Sequence, residues 1–166
     1  MKRNFCLFAL SLLLLARHAW AAPNLSVVFV DPEKYSDASY SSPFSNDQDR
    51  ADVQRDIEQH LQLLAQRTLL PGDSLKIEVL DIDLAGRVEP LRSRIGSSVR
   101  VIRDISWPRM ALRHTFTHGN QTTPSREERI SDLNYLSSFN RYPSGDRLRY
   151  EKAMLDRWFK ERFGNG

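Results

Sequence analysis

The first part of the chain shows a strand pattern followed by a helix pattern. Residues 25–30 are mainly β-branched or aromatic and end at an Asp-Pro pair, which predicts a strand with a chain breaker behind it. Across residues 48–69, apolar side chains recur three and four positions apart, with polar side chains between them. This spacing predicts an amphipathic helix with one face packed on a sheet, ended by Pro71 and Gly72.

The next segment, residues 75–84, has a strand pattern that changes phase. Its apolar positions change from odd to even numbers near Val79 and Leu80. The change predicts either a bulge at that point or burial of both strand faces. We expect Gly86 to end the strand.

Two further strands are predicted over residues 99–107 and 109–118, because Pro108 interrupts an otherwise continuous strand pattern. The Gly-Asn pair that follows residue 118 is typical of a hairpin turn. Residues 126–135 fit either a helix or a strand that returns from this turn, and we favour the strand.

The chain closes with an aromatic helix pattern over residues 150–163, with Gly164 as its stop. The predicted order of elements is β-α-β-β-β-β-α. It indicates an α+β fold, a two-layer sandwich in which the helices cover one face of a mixed, mainly antiparallel sheet.

A serine-rich segment, residues 31–47, separates the first strand from the first helix. It contains five serines and three aromatic residues, and it is long for a connection without secondary structure. Segments of this kind are either mobile or functional, and the sequence leaves both interpretations open.

The N-terminus has the three-part pattern of an export signal. Basic residues precede an apolar stretch of twelve residues, 5–16, and small residues follow at Ala19 and Ala21. Twelve residues span about 18 Å of helix against about 30 Å of hydrocarbon, so a cleaved signal fits better than a retained anchor. We predict cleavage after Ala21, a single domain over residues 22–166, a periplasmic location and no membrane span in the mature form.

The only cysteine, Cys6, lies inside the predicted signal. Thiol nucleophiles and zinc-thiolate sites are therefore excluded for the mature chain.

Charge is unevenly distributed along the predicted mature chain. The full chain has 24 Lys and Arg against 21 Asp and Glu, but three basic residues belong to the signal, which leaves a net charge of zero. Residues 22–85 carry five basic and twelve acidic residues, and residues 86–166 carry sixteen and nine. Either the two halves neutralise each other within one fold, or the arginine-rich half is free to bind an acidic partner. Nucleic acid is not an expected partner of such a chain.

Five short motifs, in one order along the chain, resemble a known family. They occupy residues 28–32 (VFVDP), 81–86 (DIDLAG), 101–109 (VIRDISWPR), 132–135 (DLNY) and 150–159 (YEKAMLDRWF). Together they resemble the proteobacterial exported proteins grouped as domain-of-unknown-function family 3016. The resemblance covers most of residues 25–163. It implies an exported single-domain protein and carries no activity, cofactor or substrate.

Asp81 and Asp83 are the first candidates for chemistry, because residues two apart on a strand project to the same face about 6–7 Å from each other. With Asp31 at another strand end, they offer oxygen ligands for a divalent cation. We favour a structural ion pair over a metal site. Arg103 interrupts an apolar row where it would meet Asp81 or Asp83, and an inward charge needs a partner.

The sequence contains no recognisable nucleophile or phosphate-binding motif, so we predict no catalytic residue, no metal and no cofactor. The favoured function is a non-catalytic binding or accessory module of the cell envelope, whose partner is an envelope protein or an acidic molecule. The alternative is a small metal-assisted hydrolase that uses Asp31, Asp81, Asp83 and His114. The candidate binding residues are Asp31, Asp81, Asp83, Arg103, Trp107, Arg109, Asp132 and Tyr135.

Overall fold

The computed structural model describes residues 23–41, 47–90 and 98–164. The predicted export signal and residues 42–46 of the serine-rich segment lie outside this part. A 3-10 helix (Pro32–Lys34) follows the first strand. The strands and α-helices are β1 (Asn24–Phe29), α1 (Asp47–Thr68), β2 (Ser74–Asp83), β3 (Arg87–Pro90), β4 (Ser98–Val101), β5 (Arg109–His118), β6 (Gln121–Thr122), β7 (Arg126–Ser131) and α2 (Arg149–Phe163).

The main sheet of the described chain is mixed and mainly antiparallel. β1 lies parallel to β2, and β2 lies antiparallel to β5. Both β6 and β7 pair with the other side of β5. α1 connects the two parallel strands, while β3 and β4 form a separate antiparallel pair. The predicted α+β fold is confirmed.

The core lies on the sheet face that the helices cover. Ile77 and Val79 of β2 are buried on this face, and the pairing with β5 then shifts between Val79 and Asp81. The shift confirms the predicted bulge and keeps Ile82 in the core. It also places Asp81 and Asp83 on the opposite face of the sheet, which we call the outer face.

α1 and α2 contact each other and the sheet. α1 buries the apolar residues that recur at helical spacing. α2 contributes an aromatic cluster in which the ring of Trp158 meets Phe159 and Phe163 edge to face. Both predicted helices are confirmed, with ends within one residue of the expected ones. None of the helices in the described ranges is long and apolar enough to cross a bilayer.

The strand predicted over residues 99–107 is too long. β4 ends at Val101, and the chain then turns, with the Ser106 N–H donating to the Arg103 carbonyl at 3.0 Å. The Gly86 N–H donates to the Ser106 carbonyl at 2.8 Å. Gly86 has a φ of 78°, and a Cβ there would clash with the Val101 carbonyl. This close approach separates β2 from β3, a strand that the sequence pattern missed.

The strand favoured over residues 126–135 extends only to Ser131. Residues 133–137 form turns instead. The Asp132 N–H donates to the Pro108 carbonyl at 3.2 Å, which joins this turn segment to the loop before β5.

The described part of the serine-rich segment packs against the end of β2. The Asp37 N–H donates to the Ile82 carbonyl at 2.9 Å, and the Leu84 N–H donates to the Asp37 carbonyl at 3.0 Å. Ser39 and Tyr40 are buried. Residues up to 41 therefore belong to the packed domain.

Candidate functional site

The outer face of the main sheet contains a cleft of about 370 Å³ where β2, β5 and β7 lie side by side. Three predicted candidates, Asp81, Asp83 and Arg109, meet in this outer-face cleft. Its charged and hydroxyl-bearing lining residues are Ser36, Asp81, Asp83, Arg109, Arg129 and Ser131.

Asp83 forms a buried ion pair with two arginines. Its side chain is only 4 % exposed. Its Oδ1 accepts a hydrogen bond from Arg87 Nη1 at 2.8 Å, and its Oδ2 accepts one from Arg109 Nε at 3.0 Å. Arg109 lies directly opposite Asp83 in the β2–β5 register. The expected structural ion pair with arginine is present at Asp83.

Arg103, however, does not take part in that pair. It binds Glu89 of β3, with 3.1 Å between Arg103 Nη2 and Glu89 Oε2. β4 ends two residues before Arg103, so the side chain lies on a turn and not on a continuous strand. The predicted pairing of Arg103 with Asp81 or Asp83 is wrong.

Asp81 is held by the serine-rich segment. Its Oδ1 accepts from the Ser36 N–H at 2.7 Å, and its Oδ2 accepts from the Ser36 hydroxyl at 2.8 Å. Asp31 does not line the cleft. It is exposed, has a left-handed φ of 48° and binds Lys34 Nζ at 2.8 Å. The three aspartates therefore do not form the oxygen cluster considered from the sequence.

His114 lies on the core face of the sheet, opposite the cleft. It is 7 % exposed, and its ring meets Trp158 and Phe163 edge to face. Its Nε2 is 3.5 Å from Glu128 Oε1. The four residues of the alternative hydrolase are thus not brought together. Across the described residues, no three His, Asp or Glu side chains are grouped closely enough to hold a metal ion.

Tyr135 connects two loops at the end of the sheet. Its hydroxyl donates to the Arg103 carbonyl at 2.6 Å, and its ring lies edge-on to Tyr150, with 4.7 Å between the centroids. Tyr135 is 2 % exposed, so it positions the loops and is not itself a contact surface.

Asp132 and Trp107 anchor the same two loops. Asp132 is 9 % exposed and pairs with Arg157 of α2 at 2.5 Å. The Trp107 ring lies 5.5 Å from the Arg109 guanidinium, a cation–π distance. These candidates therefore support the loops between the outer-face cleft and α2.

The two loops carry exposed apolar side chains. Phe139 is 91 % exposed and Ile105 is 76 % exposed. Leu133 and Leu136 are 62 % and 50 % exposed. We call these four residues the apolar loop surface, because the hydrogen bonds of Tyr135 and Asp132 hold their two segments together.

A second cavity, of about 240 Å³, lies at the N-terminal end of α2. We call it the arginine pocket. Its charged and aromatic lining residues are Tyr40, Arg100, Asp146, Arg147, Arg149 and Tyr150.

Glu151, in the first turn of α2, is 2 % exposed. Its Oε1 accepts a hydrogen bond from the Ala85 N–H at 2.7 Å. Burial raises the pKa of this carboxyl to about 7, although the Ala85 N–H and the charge of Arg100 favour its ionised form.

A family model described as "Protein of unknown function (DUF3016)" matches residues 23–161. The chain belongs to this family. No curated protein and no solved structure matches the chain. Membership of DUF3016 therefore agrees with the resemblance in the motifs and assigns no chemistry.

The five motifs of this DUF3016 chain meet at one end of the main sheet. Residues 28–32 and 81–86 contain the last residues of the parallel strands β1 and β2 and the residues directly after them, at the same sheet end. β5 runs antiparallel to β2, so residues 101–109, which lead into β5, lie at that end. β7 runs antiparallel to β5, so residues 132–135, which follow β7, lie there too. Residues 150–159 reach it through the Glu151–Ala85 hydrogen bond. Ile105 and Leu133 of the apolar loop surface and Tyr150 of the arginine pocket lie within these segments.

The acidic and basic halves of this DUF3016 chain neutralise each other in part. Asp37 pairs with Arg100 at 2.8 Å, and Glu78 pairs with Arg113 at 3.0 Å. Asp83 is paired as described above. These contacts join residues from opposite sides of Gly86, which supports the interpretation of mutual neutralisation.

Sequence reasoning missed Glu151 and the arginines next to it. Glu151 shares the helical spacing of Met154, Leu155 and Trp158, so it lies on the apolar face of the last helix. That position predicts burial and could have been noticed. Arg147 and Arg149 had no comparable signal, because the loop that contains Tyr40 completes their pocket.

Proposed function

We propose that this DUF3016 protein is an exported, non-catalytic binding or accessory module of the cell envelope. It binds an envelope protein through the apolar loop surface. The observation that carries the proposal is the exposure of Phe139, Ile105, Leu133 and Leu136 on two joined loops. Large apolar side chains exposed on the joined loops of a folded domain are candidates for protein contacts, and an aromatic side chain is a common anchor.

The loops that carry this surface are held in place before any partner arrives. Tyr135 joins them through the Arg103 carbonyl and packs on Tyr150. Asp132 ties the second loop to Arg157 of α2. A fixed surface loses little conformational entropy on binding, which favours association.

The chemistry of the outer-face cleft supports a structural role for its aspartates. Asp83 is engaged by Arg87 and Arg109, and Asp81 is engaged by Ser36. Carboxylates that are already paired in this way are poor metal ligands and poor bases until their partners leave. This arrangement favours the binding module over the hydrolase.

Export is the part of the proposal that rests on residues 1–21. The basic, apolar and small-residue pattern of this segment supports a cleaved signal and a periplasmic location. Fractionation of the native host, with N-terminal sequencing of the mature protein, tests it. We expect periplasmic protein that begins at Ala22. Cytoplasmic protein that keeps Met1 would overturn the export part.

Site-specific photo-crosslinking in the native host tests the binding surface. A photoreactive residue at Phe139 and, separately, one at Leu136 should give the same crosslinked envelope protein. The matched control is Leu63, which is 46 % exposed on α1. Ile105→Asp should abolish both crosslinks without loss of folding, because this side chain is 76 % exposed. Identical products from Leu63, or none from Phe139 and Leu136, would contradict the proposal.

A further inference from the structure

The arginine pocket contains positive charge that its own walls do not neutralise. Three arginines line it, and Asp146 is its one lining carboxylate among the described residues. Asp146 is already engaged, since Lys152 Nζ lies 2.6 Å from its Oδ2 and the Leu148 N–H donates to its Oδ1 at 2.9 Å. The lining carboxylate is therefore not free to pair with the arginines.

The three arginines differ in their partners. Arg100 pairs with Asp37 at 2.8 Å and donates to the Ala85 carbonyl at 3.1 Å, so its charge is matched. Within the described residues, no carboxylate pairs with Arg147 or Arg149. These two side chains supply the unmatched charge of the pocket.

Two buried donors at the pocket have no partner within the described structure. They are the Nε atoms of Arg100 and Arg149. Buried polar groups are nearly always hydrogen-bonded in native proteins, and an unpartnered one signals a missing ligand or water. The unpartnered donors indicate a ligand independently of the unmatched charge of Arg147 and Arg149.

Aromatic rings hold the arginine side chains in position. The Arg147 guanidinium lies 3.7 Å from the centroid of the Tyr40 ring, and the Arg149 guanidinium lies 5.2 Å from that of Tyr150. Stacking on an aromatic face orients a planar guanidinium without using its N–H groups. The donors therefore stay available for a ligand.

The N-terminal end of α2 adds to the positive electrostatic potential of the pocket. This helix has fifteen residues, and its N-cap residue, Leu148, makes no side-chain cap. The N-terminal end of a helix favours negative charge, and Arg149 and Tyr150 of its first turn line the pocket.

We propose that the arginine pocket binds a small oxyanion, a carboxylate or a phosphate group, between Arg147 and Arg149. Guanidinium groups match both anions with paired N–H donors. A volume of about 240 Å³ lies below the roughly 300–1,000 Å³ of sites for drug-sized ligands, so the anion belongs to a small molecule or to a single group. The site is separate from the apolar loop surface and does not depend on the proposed function.

Titration of the purified protein with inorganic phosphate and, separately, with acetate tests the proposal. Backbone amide NMR at constant ionic strength, with chloride as the balancing anion, follows residues 146–150. We expect saturable chemical-shift changes there with at least one of the two anions. The anion that binds with the higher affinity identifies the ligand class. Absence of saturable shifts with both anions up to about 10 mM would overturn the proposal.

Arginine variants locate the binding. Arg147→Gln and Arg149→Gln should each lower the affinity for the preferred anion about tenfold or more, which corresponds to the loss of one charged hydrogen bond. Arg129→Gln, an exposed arginine of the outer-face cleft, is the matched control and should leave affinity unchanged. Arg147 is exposed, so its variant keeps the fold even if the partly buried Arg149 does not tolerate change. Full affinity in Arg147→Gln, or equal loss in Arg129→Gln, would contradict the assignment.

Discussion

The outer-face cleft and the arginine pocket are both lined by arginine, but they differ in how the charge is matched. The cleft is lined by two arginines, Arg109 and Arg129, and by two aspartates, so its formal charges balance inside the protein. In the pocket, Arg147 and Arg149 have no carboxylate partner among the described residues. Arginine content alone therefore does not identify a binding site, because the placement of the carboxylates decides whether the positive charge is free.

The difference has a topological origin. β2 and β5 pair in a register that sets Asp83 opposite Arg109, so the ion pair is built into the sheet. The arginine pocket forms where a loop runs into α2 and meets Tyr40 and Arg100 from distant parts of the chain. No acidic strand lies opposite Arg147 or Arg149 in the described part of the molecule.

The largest effect on stability is expected from a change in the core between α2 and the sheet. Trp158→Ala should destabilise the protein by about 3–5 kcal/mol, because the ring is 4 % exposed and packs on Phe159, Phe163 and His114. Chemical denaturation measures the loss in the free energy of unfolding. A loss below about 0.5 kcal/mol would mean that α2 is peripheral to the fold.

Trp158→Phe separates packing from the polar contact of the ring. Trp158 Nε1 donates to Glu128 Oε2 at 3.0 Å, and phenylalanine keeps most of the packing but not this bond. We expect a smaller loss than for alanine. Equal losses would assign the effect to the hydrogen bond and not to the core.

The next largest effect concerns the carboxyl group of Glu151 beside the arginine pocket. Burial raises its pKa to about 7, from an ordinary value of 4.5. The native state therefore holds this proton more tightly than the unfolded state does. Its contribution to stability is full below about pH 4.5 and is lost as the pH rises to about 7, a change of about 3 kcal/mol.

Glu151→Gln should remove this pH dependence, because glutamine does not titrate and its amide oxygen still accepts from the Ala85 N–H. The free energy of unfolding of the variant, relative to that of the native protein, should rise between about pH 4 and about pH 8. Glu161→Gln, on the exposed side of the same helix, should show no such trend. A difference between native protein and Glu151→Gln that stays constant with pH would contradict the raised pKa.

Much of the fold could be predicted because its elements repeat a local pattern. The spacing of Val53, Ile57 and Leu61 predicts α1, and the phase change near Val79 predicts either a bulge or burial of both strand faces, of which the structure has the bulge. The end of β4 could not be predicted in this way. Alternation continues toward Trp107 in the sequence, but the Gly86–Ser106 and Tyr135–Arg103 hydrogen bonds turn the chain away.

The candidate site could be predicted only in part. Two residues spaced two apart, Asp81 and Asp83, do share the outer face, and Asp83 does pair with arginine. The identity of that arginine depends on strand register, which a single sequence does not specify before the pairing is known. The arginine pocket depends on contacts between residues far apart in the chain, so no local pattern indicates it.

Asp83→Asn tests whether charge matching is what distinguishes the two sites. The variant keeps the size of the side chain but removes the carboxylate that binds Arg109 and Arg87, so that Arg109 loses its partner and Arg87 keeps only Asp37, at 3.7 Å. Hydrogen bonds to charged groups contribute about 1.5–3 kcal/mol, and both arginines are nearly half exposed, so we expect a loss of about 2 kcal/mol in the free energy of unfolding.

The same change should turn the outer-face cleft into a second oxyanion site, because Arg109 and Arg129 would then line it without the charge of Asp83. Phosphate titration of Asp83→Asn should therefore shift the amide signals of Arg109 and Arg129, which phosphate leaves unchanged in the native protein. Asp31→Asn is the matched control, since Asp31 is exposed and asparagine tolerates its left-handed backbone. The free energy of unfolding of the control should fall by less than about 0.5 kcal/mol, as is usual for surface substitutions. The control should also bind no phosphate at the cleft. If Asp83→Asn binds no phosphate, unmatched arginine charge is not sufficient to make a site, and the orienting tyrosine rings and helix terminus of the arginine pocket become the deciding difference.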